Sequence, residues 1–424
     1  MNRKVYMACI GTRPEIIKMA PIYHEIRARG GKMLVVHTGQ HGTVADALYE
    51  FFDMKPDINV TLKRKSPSLA HLTSALLEEV DQAMITLNPD VIMVQGDTTS
   101  AMVGSLIGYY YGKPVAHVEA GLRTHEHEPF PEEKNRELIG RLAHWHFSPT
   151  PQAAENLMQE GINPTRIFDV GNTVIDAALW TRARITQPSF NRQAVTPDNL
   201  QKFELEFPDH RMLLVTAHRR ENWGEPIRNI GRAVAHIVGR YHNVTVVWPV
   251  HPNPSVRADV DAEISKLPDA ARRRVCLTDP LGYQALIGLL MRCEFTLTDS
   301  GGIQEEASAF GKPVLIARNN TERQELVDSG GAILVGTEVD RIVAGVSLLL
   351  NSRETYCSMQ LAHSPFGDGS SAGRICDILS DRSSEIELSQ EVTTVDKASI
   401  VNPRWPAQLL KIALGSEIAP ELLN

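Results

Sequence analysis

Residues 90–99 read Asp90-Val91-Ile92-Met93-Val94-Gln95-Gly96-Asp97-Thr98-Thr99, an unbroken apolar run that stops at a glycine and passes into a pair of threonines. A strand that is apolar at every position is buried on both faces, which is the pattern of a parallel sheet with helices packed on either side. A helical segment, Thr99 to Tyr111, follows, and then a second apolar run, Pro114 to Val118. Strand, turn, helix, strand is one right-handed crossover unit. The same unit recurs toward the N-terminus, with strands at Val5 to Ile10 and Leu34 to His37 and a helix beginning at Pro14. Proline is favoured in a first helical turn because its missing N–H would have no partner there.

The second half repeats the theme with runs at Met212 to Ala217, Val244 to Pro249, Arg274 to Leu277, Phe295 to Thr298 and Pro313 to Ala317. Between the halves, Thr186 to His210 is polar and contains Pro188, Pro197 and Pro208, so it reads as the link between two domains with a boundary near residue 190. A length of 424 residues agrees, because a single core of that size is uncommon. The expected fold class is α/β, with two doubly wound domains facing a cleft. A last helix is expected over Ser371 to Leu379, after which the chain turns polar; residues 383–424 form a C-terminal extension of unknown role.

Composition removes several function classes. A formal charge of -8 argues against a nucleic-acid surface, so an anionic ligand would need local basic residues and backbone amides. No apolar stretch approaches the ~20 residues of a membrane span, and the N-terminal apolar run is too short for a signal peptide. The five cysteines, Cys9, Cys276, Cys293, Cys357 and Cys376, are scattered and form no C-x-x-C pair, which predicts core thiols in a reducing compartment. A cytoplasmic location is expected.

In a doubly wound sheet, ligands sit beyond the C-terminal ends of the strands, so polar residues there carry the most weight. One strand runs into Asp97, the next into Glu119-Ala120-Gly121, and a later loop supplies Pro131-Glu132-Glu133 before a helix. Asp97, Glu119 and Glu132 can therefore converge on one cleft. The competing reading makes Asp97 a helix N-cap and Glu132 and Glu133 first-turn acids favoured by the helix dipole. That reading is preferred here for Glu133 and rejected for Glu119.

Thr298-Asp299-Ser300-Gly301-Gly302 turns through two glycines into a helix, where close backbone approach and free N–H groups suit a phosphate. Arg13 and Lys18 lie at and one turn into the first helix and can reach the same cleft; a solvated helix-end arginine is the bland alternative. His218 ends a strand and can exchange a proton with a leaving group. His251, in His251-Pro252-Asn253-Pro254, is as well suited to holding a turn as to touching a ligand. The string His125-Glu126-His127-Glu128 matches no metal-binding spacing.

Taken in order, GTRPEIIKMAPI (11–22), TGQH (38–41), QGDTTS (95–100), HVEAGLRT (117–124), PFPEEKNR (129–136), VGNTVID (170–176), TAHRREN (216–222), HPNP (251–254), DSGGIQEE (299–306), TERQE (321–325) and FGDG (366–369) closely resemble the non-hydrolysing UDP-N-acetylglucosamine 2-epimerases. The likeness runs from about residue 4 to about residue 380. It implies a glycosyltransferase-B-like pair of Rossmann-like domains. Residues 1–190 would carry the catalytic carboxylates and 191–382 would bind UDP, with the last helix able to pack back on the first domain.

By position, the resemblance implies catalytic roles for Asp97, Glu119, Glu132 and His218. It makes Lys18 and Arg136 supporting contacts and sets Arg13 on the diphosphate. Ser300, Gly301 and Gly302 would hold phosphate through the helix start, and Glu306 would take the ribose hydroxyls. His251 and Leu286 complete the expected substrate contacts, and no NAD or metal is implied. The reaction it implies interconverts UDP-N-acetylglucosamine and its C2 epimer in a cytoplasmic homodimer, with a UDP-amino sugar as the one ligand and no nucleic acid or membrane partner. The alternatives are a 2-epimerase of a UDP-2,3-diacetamido sugar and a glycosyltransferase of the same fold.

The chain also departs from the pattern. Leu286 stands where a phenylalanine often faces uracil, leaving Tyr283 as the stacking candidate. Gln324 replaces the usual proline of T-E-R-P-E. Gln40-His41 is followed by Gly42-Thr43, and Lys65-Ser66-Pro67-Ser68 replaces a common Gly-Gln string, so activation by a second substrate molecule is not carried over.

Overall fold

The computed structural model describes residues 4–39, 45–62 and 66–380. The segment Gln40 to Thr43, Lys65 and the extension beyond residue 383 lie outside the described residues. The described residues up to Cys376 form one compact unit, and the end of the last helix, from Asp377 on, belongs to a second.

Among the described residues, thirteen strands form two separate parallel sheets. The first contains β1 (Val5–Ile10), β2 (Lys32–His37), β3 (Ile58–Asn59), β4 (Val91–Gln95), β5 (Val115–Val118), β6 (Trp145–Ser148) and β7 (Ile167–Asp169). Its spatial order is β3-β2-β1-β4-β5-β6-β7. The second contains β8 (Arg211–Thr216), β9 (Val244–Pro249), β10 (Val275–Thr278), β11 (Phe295–Thr298), β12 (Val314–Ile316) and β13 (Ala332–Leu334), in the order β10-β9-β8-β11-β12-β13. Every strand pair is parallel. Both sheets are doubly wound, and the direction of winding reverses between β1 and β4 in one and between β8 and β11 in the other. Such reversals leave a crevice at the strand ends, because the helices on either side of the pair lie on opposite faces.

Each sheet has its own core. Met7, Val36, Ile92, Val94 and Val115 pack under Leu72, Leu76 and Val80 in the first. Leu213, Val215, Val246, Trp248, Phe295 and Leu297 pack under Ile227, Val234 and Ile237 in the second. The link from Thr186 to His210 is not simply extended chain. It carries two short helices, Arg192–Val195 and Asp198–Glu206, the second anchored by buried Leu200 and Phe203. The last helix, Ser371–Ser380, begins against the first domain: Ala372 N–H donates to Asp176 at 2.9 Å and Arg374 donates to the Val170 carbonyl at 3.2 Å.

Four cysteines are buried thiols as expected, whereas Cys357 is exposed. It lies in the short outer helix Arg353–Met359, whose inward positions are taken by Tyr356 and Met359. Among the described residues, no helix is long and apolar enough to cross a membrane.

Candidate active site

Both winding reversals are loaded with polar residues. At the end of β4, Asp97 is not a helix cap: Thr98 caps the helix Thr99–Tyr110 by accepting from Ala101 N–H at 3.0 Å. Asp97 is instead held by the helix Glu132–Leu142, whose Arg136 donates from Nη2 at 2.6 Å and from Nε at 3.1 Å to Asp97 Oδ2. Asn135 fixes the Asp97 carbonyl at 2.8 Å. Glu132 opens the same helix, half-buried, and its carboxyl is raised above the ordinary range by burial, with the Asp97 charge adding to the effect.

Glu119 sits just past β5 with φ +66°, a left-handed conformation that a non-glycine residue adopts only under constraint. The following Gly121 shows why the turn is so tight, since at φ +90° an added Cβ would lie 2.1 Å from the Ala153 carbonyl oxygen. The constraint aims the Glu119 carboxylate inward, where Lys18 Nζ donates at 2.5 Å, Asn172 Nδ2 at 3.1 Å, and Gln95 also donates. Burial alone would raise the Glu119 carboxyl, but the charges of Lys18 and Arg323 outweigh it and hold the group below its ordinary value. Lys18 shows the converse: burial opposes its charge, yet Glu119 and Glu305 raise it. The pair is therefore ionised.

Lys18 also reaches across to the second domain, with Nζ 3.7 Å from Glu305 Oε2. Glu305 belongs to the helix Gly301–Ala309 and accepts from Arg323 Nε at 2.9 Å. Arg323 in turn lies on the helix start, where a Cβ on Gly301 would come within 2.9 Å of its guanidinium carbon. Glu119 and the Ser300 turn thus belong to one continuous set of contacts. Ser300 precedes the helix without a side-chain cap and gives its own N–H to Thr298 Oγ1 at 3.0 Å, whereas nothing stands within 4 Å of where a Gly302 side chain would begin, so the helix start is open on the Gly302 side. Free N–H groups at such a start form an anion site. Arg13, at the first position of helix Arg13–Ala28, is half-buried and has no hydrogen-bond or ion-pair partner among the described residues.

Asp299, read from sequence as part of the phosphate turn, has a different task. It is fully buried and accepts from His218 N–H at 2.9 Å, Arg219 N–H at 2.9 Å and Asn222 Nδ2 at 2.9 Å. It ties the loop after β8 to the end of β11 and leaves the His218 ring half exposed at the reversal point. His251 accepts from Asn253 N–H through Nδ1 at 3.1 Å, which is the turn-holding role; burial, His218 and Arg220 keep it below its ordinary value. Its ring lies 5.5 Å from that of Trp223.

Glu306 is buried, and its carboxyl is raised to about 8 by burial and by the neighbouring Glu305 charge. Tyr283 does not stack outward as expected. It is buried against Phe52, with ring centroids 5.9 Å apart, and faces Glu306 without a well-formed hydrogen bond. Leu286, one turn later on helix Tyr283–Arg292, is half-buried.

A pH effect follows from Glu306. Its folded carboxyl keeps a proton that the unfolded chain loses near 4.5, so its stabilising contribution is complete below that value and gone once pH passes about 8. Glu306→Gln, which stays neutral, is expected to lose less melting temperature than the natural chain as pH is raised from about 5 to about 9. Parallel loss in thermal melts of both proteins would contradict the raised carboxyl.

Glu133 is a first-turn acid as expected, but it has tertiary partners as well: it is buried, accepts from Thr124 and His125 N–H groups at 3.0 Å each, and pairs with Arg136 at 3.1 Å. Glu15 was missed. Buried in the first turn of its helix, it accepts from Gly11 N–H at 3.0 Å and Thr98 Oγ1 at 2.8 Å, so it ties the end of β1 to the end of β4. The available signal for both was an acidic residue at a strand–helix turn, which the preference of acids for first helical turns disguises.

Two doubly wound domains, with carboxylates at one reversal point and an open helix start at the other, define an enzyme of the glycosyltransferase-B-like class. The comparisons narrow the class. A model of the family described as UDP-N-acetylglucosamine 2-epimerase matches residues 24–380, and the chain belongs to that family of isomerases. The UDP-N-acetylglucosamine 2-epimerase of Yersinia pestis is 41% identical over 371 residues, covering 87% of this chain and 96% of that protein. That of Escherichia coli strain K12 is 40% identical over 375 residues, covering 88% and 97%. The crystal structure of the Neisseria meningitidis enzyme bound to UDP-GlcNAc superposes with a TM-score of 0.79 at 35% identity, covering 88% of this chain and 99% of the other.

Proposed function

We propose that the enzyme interconverts UDP-N-acetylglucosamine and UDP-N-acetylmannosamine, with the nucleotide held by the second domain and the sugar by the carboxylates of the first. The C2 hydrogen of such a sugar is adjacent to no carbonyl, so its direct removal would leave a poorly stabilised carbanion. Breaking the C1–O bond first, or at the same time, gives C1 oxocarbenium character and makes that hydrogen acidic. UDP departs as an anion, a carboxylate takes the C2 proton, and a 2-acetamidoglucal remains. Return of a proton to the opposite face of C2 and re-addition of UDP at C1 complete the inversion.

The observation that carries this reading is the chain of contacts Glu119–Lys18–Glu305–Arg323–Gly301, which joins one of the proposed acid/base residues to the anion-binding helix start. Asp97, Glu119 and Glu132 form the acid/base set around C1 and C2. The electrostatics divide their states: Glu119 is ionised beside Lys18, while Glu132 is shifted toward holding its proton. Groups pushed in opposite directions suit a reaction that takes a proton on one face and gives one on the other. Arg13, His218 and the helix start at Ser300, Gly301 and Gly302 stabilise the departing diphosphate, whose charge grows as the bond breaks; the Ser300 N–H is already given to Thr298 Oγ1 at 3.0 Å, so the N–H groups of the two glycines are the donors there. Arg136 orients Asp97, Glu306 meets the ribose, and His251 and Leu286 line the nucleotide side.

The boundary between the two domains lies near residue 190 on this reading. It also holds the enzyme to be a cytoplasmic homodimer acting on a UDP-amino sugar; the scattered and mostly buried thiols suit a reducing compartment. The test is exchange. Incubation with UDP-N-acetylglucosamine in D2O is expected to place deuterium at C2 of both epimers, read by NMR. Turnover or UDP release with C2 still protonated would sink the elimination and favour glycosyl transfer.

A further inference from the structure

We propose that Glu133 is a positioning residue for the reaction, acting through Arg136 to keep one oxygen of Asp97 free for proton transfer. Arg136 carries a planar fork of donors that ordinarily engages a carboxylate through two parallel bonds, one to each oxygen. Here it does not. Nε and Nη2 both donate to the single oxygen Oδ2 of Asp97, while Nη1 is drawn away to Glu133 Oε2 at 3.1 Å. Among the described residues, Asp97 Oδ1 accepts no hydrogen bond.

Glu133 can hold the guanidinium off line because it is itself immobile. Its side chain is 1% exposed, and its other oxygen receives the backbone N–H groups of Thr124 and His125 at 3.0 Å each. Those residues follow directly from the Glu119 turn, so Glu133 also fixes the loop joining Glu119 to the helix that carries Glu132 and Arg136. The groups facing Asp97 are Arg136 and Asn135 from that helix and Glu132 at its start, where the two acids repel. Remove the charge at position 133 and Arg136 is free to swing onto both Asp97 oxygens. The oxygen that should exchange a proton with the sugar is then occupied.

The inference rests on Asp97 being a proton-moving carboxylate, and the experiment separates the two ideas. Glu133→Gln keeps the shape and still accepts the two loop N–H groups, but it no longer attracts Arg136. It is expected to lower kcat by about 10- to 100-fold, the scale on which a misplacement of about 1 Å costs rate, with KM changed by less than about threefold. In an Arg136→Gln background the same substitution is expected to add no further loss, because the residue through which it acts is gone.

Two results would overturn the proposal: kcat within about twofold of the natural enzyme in Glu133→Gln, or an equal fold loss with and without Arg136. Should Glu133→Gln not fold, Glu133→Asp is measured instead. It keeps the charge but shortens the reach, and the same kcat-only loss is expected. Asp97→Asn tests the underlying reading alone. If it retains turnover, Asp97 moves no proton; if it is inactive while Glu133→Gln is normal, the fault lies with the positioning argument.

Discussion

Glu119→Gln should reduce epimerisation by roughly 10³-fold, within the range that a positioned acid or base contributes, while UDP affinity stays within a few-fold. The carboxylate is surrounded by donors, Lys18, Gln95 and Asn172, and is the anion that neutralises a buried lysine. An amide of the same shape places an N–H₂ or a neutral oxygen against that ammonium and removes the only charge aimed at the sugar side from β5. Lys18 then has Glu305 as its remaining anionic partner, 3.7 Å away, and is expected to move toward it. The helix start at Gly301 and the unpartnered Arg13 are not altered, which is why the nucleotide should still bind. Steady-state rates together with a UDP titration check this. Turnover within about tenfold of the natural enzyme would reduce Glu119 to a structural counter-ion.

Asp299→Ala should be the most damaging single change in the second domain. The side chain is fully buried and receives the N–H groups of His218 and Arg219 and the Asn222 amide. Alanine leaves the His218 and Arg219 N–H groups without their acceptor and Asn222 with the Ala317 carbonyl alone, at 3.2 Å, at a cost of about 1–3 kcal/mol for each group that water cannot reach. The expected result is a melting temperature lowered by several degrees or more. The larger effect should be on kcat, because the backbone that presents the His218 ring is no longer tied to β11. Adding UDP should restore some of the lost melting temperature by binding the folded state, but not the rate. A variant with a normal melt and normal rate would show that the loop after β8 is held by other means.

Much of this architecture was legible from residue order alone, for a physical reason. Strands buried on both faces are apolar almost without interruption, so Val5–Ile10, Val91–Gln95, Val244–Pro249 and Phe295–Thr298 announce themselves, and topology sets the turns that follow them at the crevice. Strands that escaped notice are short or chemically mixed: Ile58–Asn59 has two residues, and Trp145–Ser148 places a histidine inside the sheet. The site residues at strand ends, Asp97, Glu119, His218 and Ser300, were likewise readable.

What could not be read were pairings between distant parts of the chain. Nothing local joins Lys18 to Glu305, Asp299 to Asn222, or Arg323 to the space left by Gly301. Glu133 was readable as a first-turn acid, whereas its bonds to Thr124, His125 and Arg136 depend on how the chain folds back and leave no local mark. Tyr283 was misread because an aromatic ring near a nucleotide site suggests stacking, whereas its neighbours Phe52 and Glu306 show that it is already enclosed.

The contact between Lys18 and Glu305 carries a further consequence for how the crevice opens. Surfaces that meet through grease must be peeled apart into water at a penalty that grows with area, whereas opposite charges that separate are each rehydrated at once. At the position of this pair the two domains therefore meet without that penalty, and an arriving pyrophosphate would compete with Glu305 simply by offering the lysine another anion.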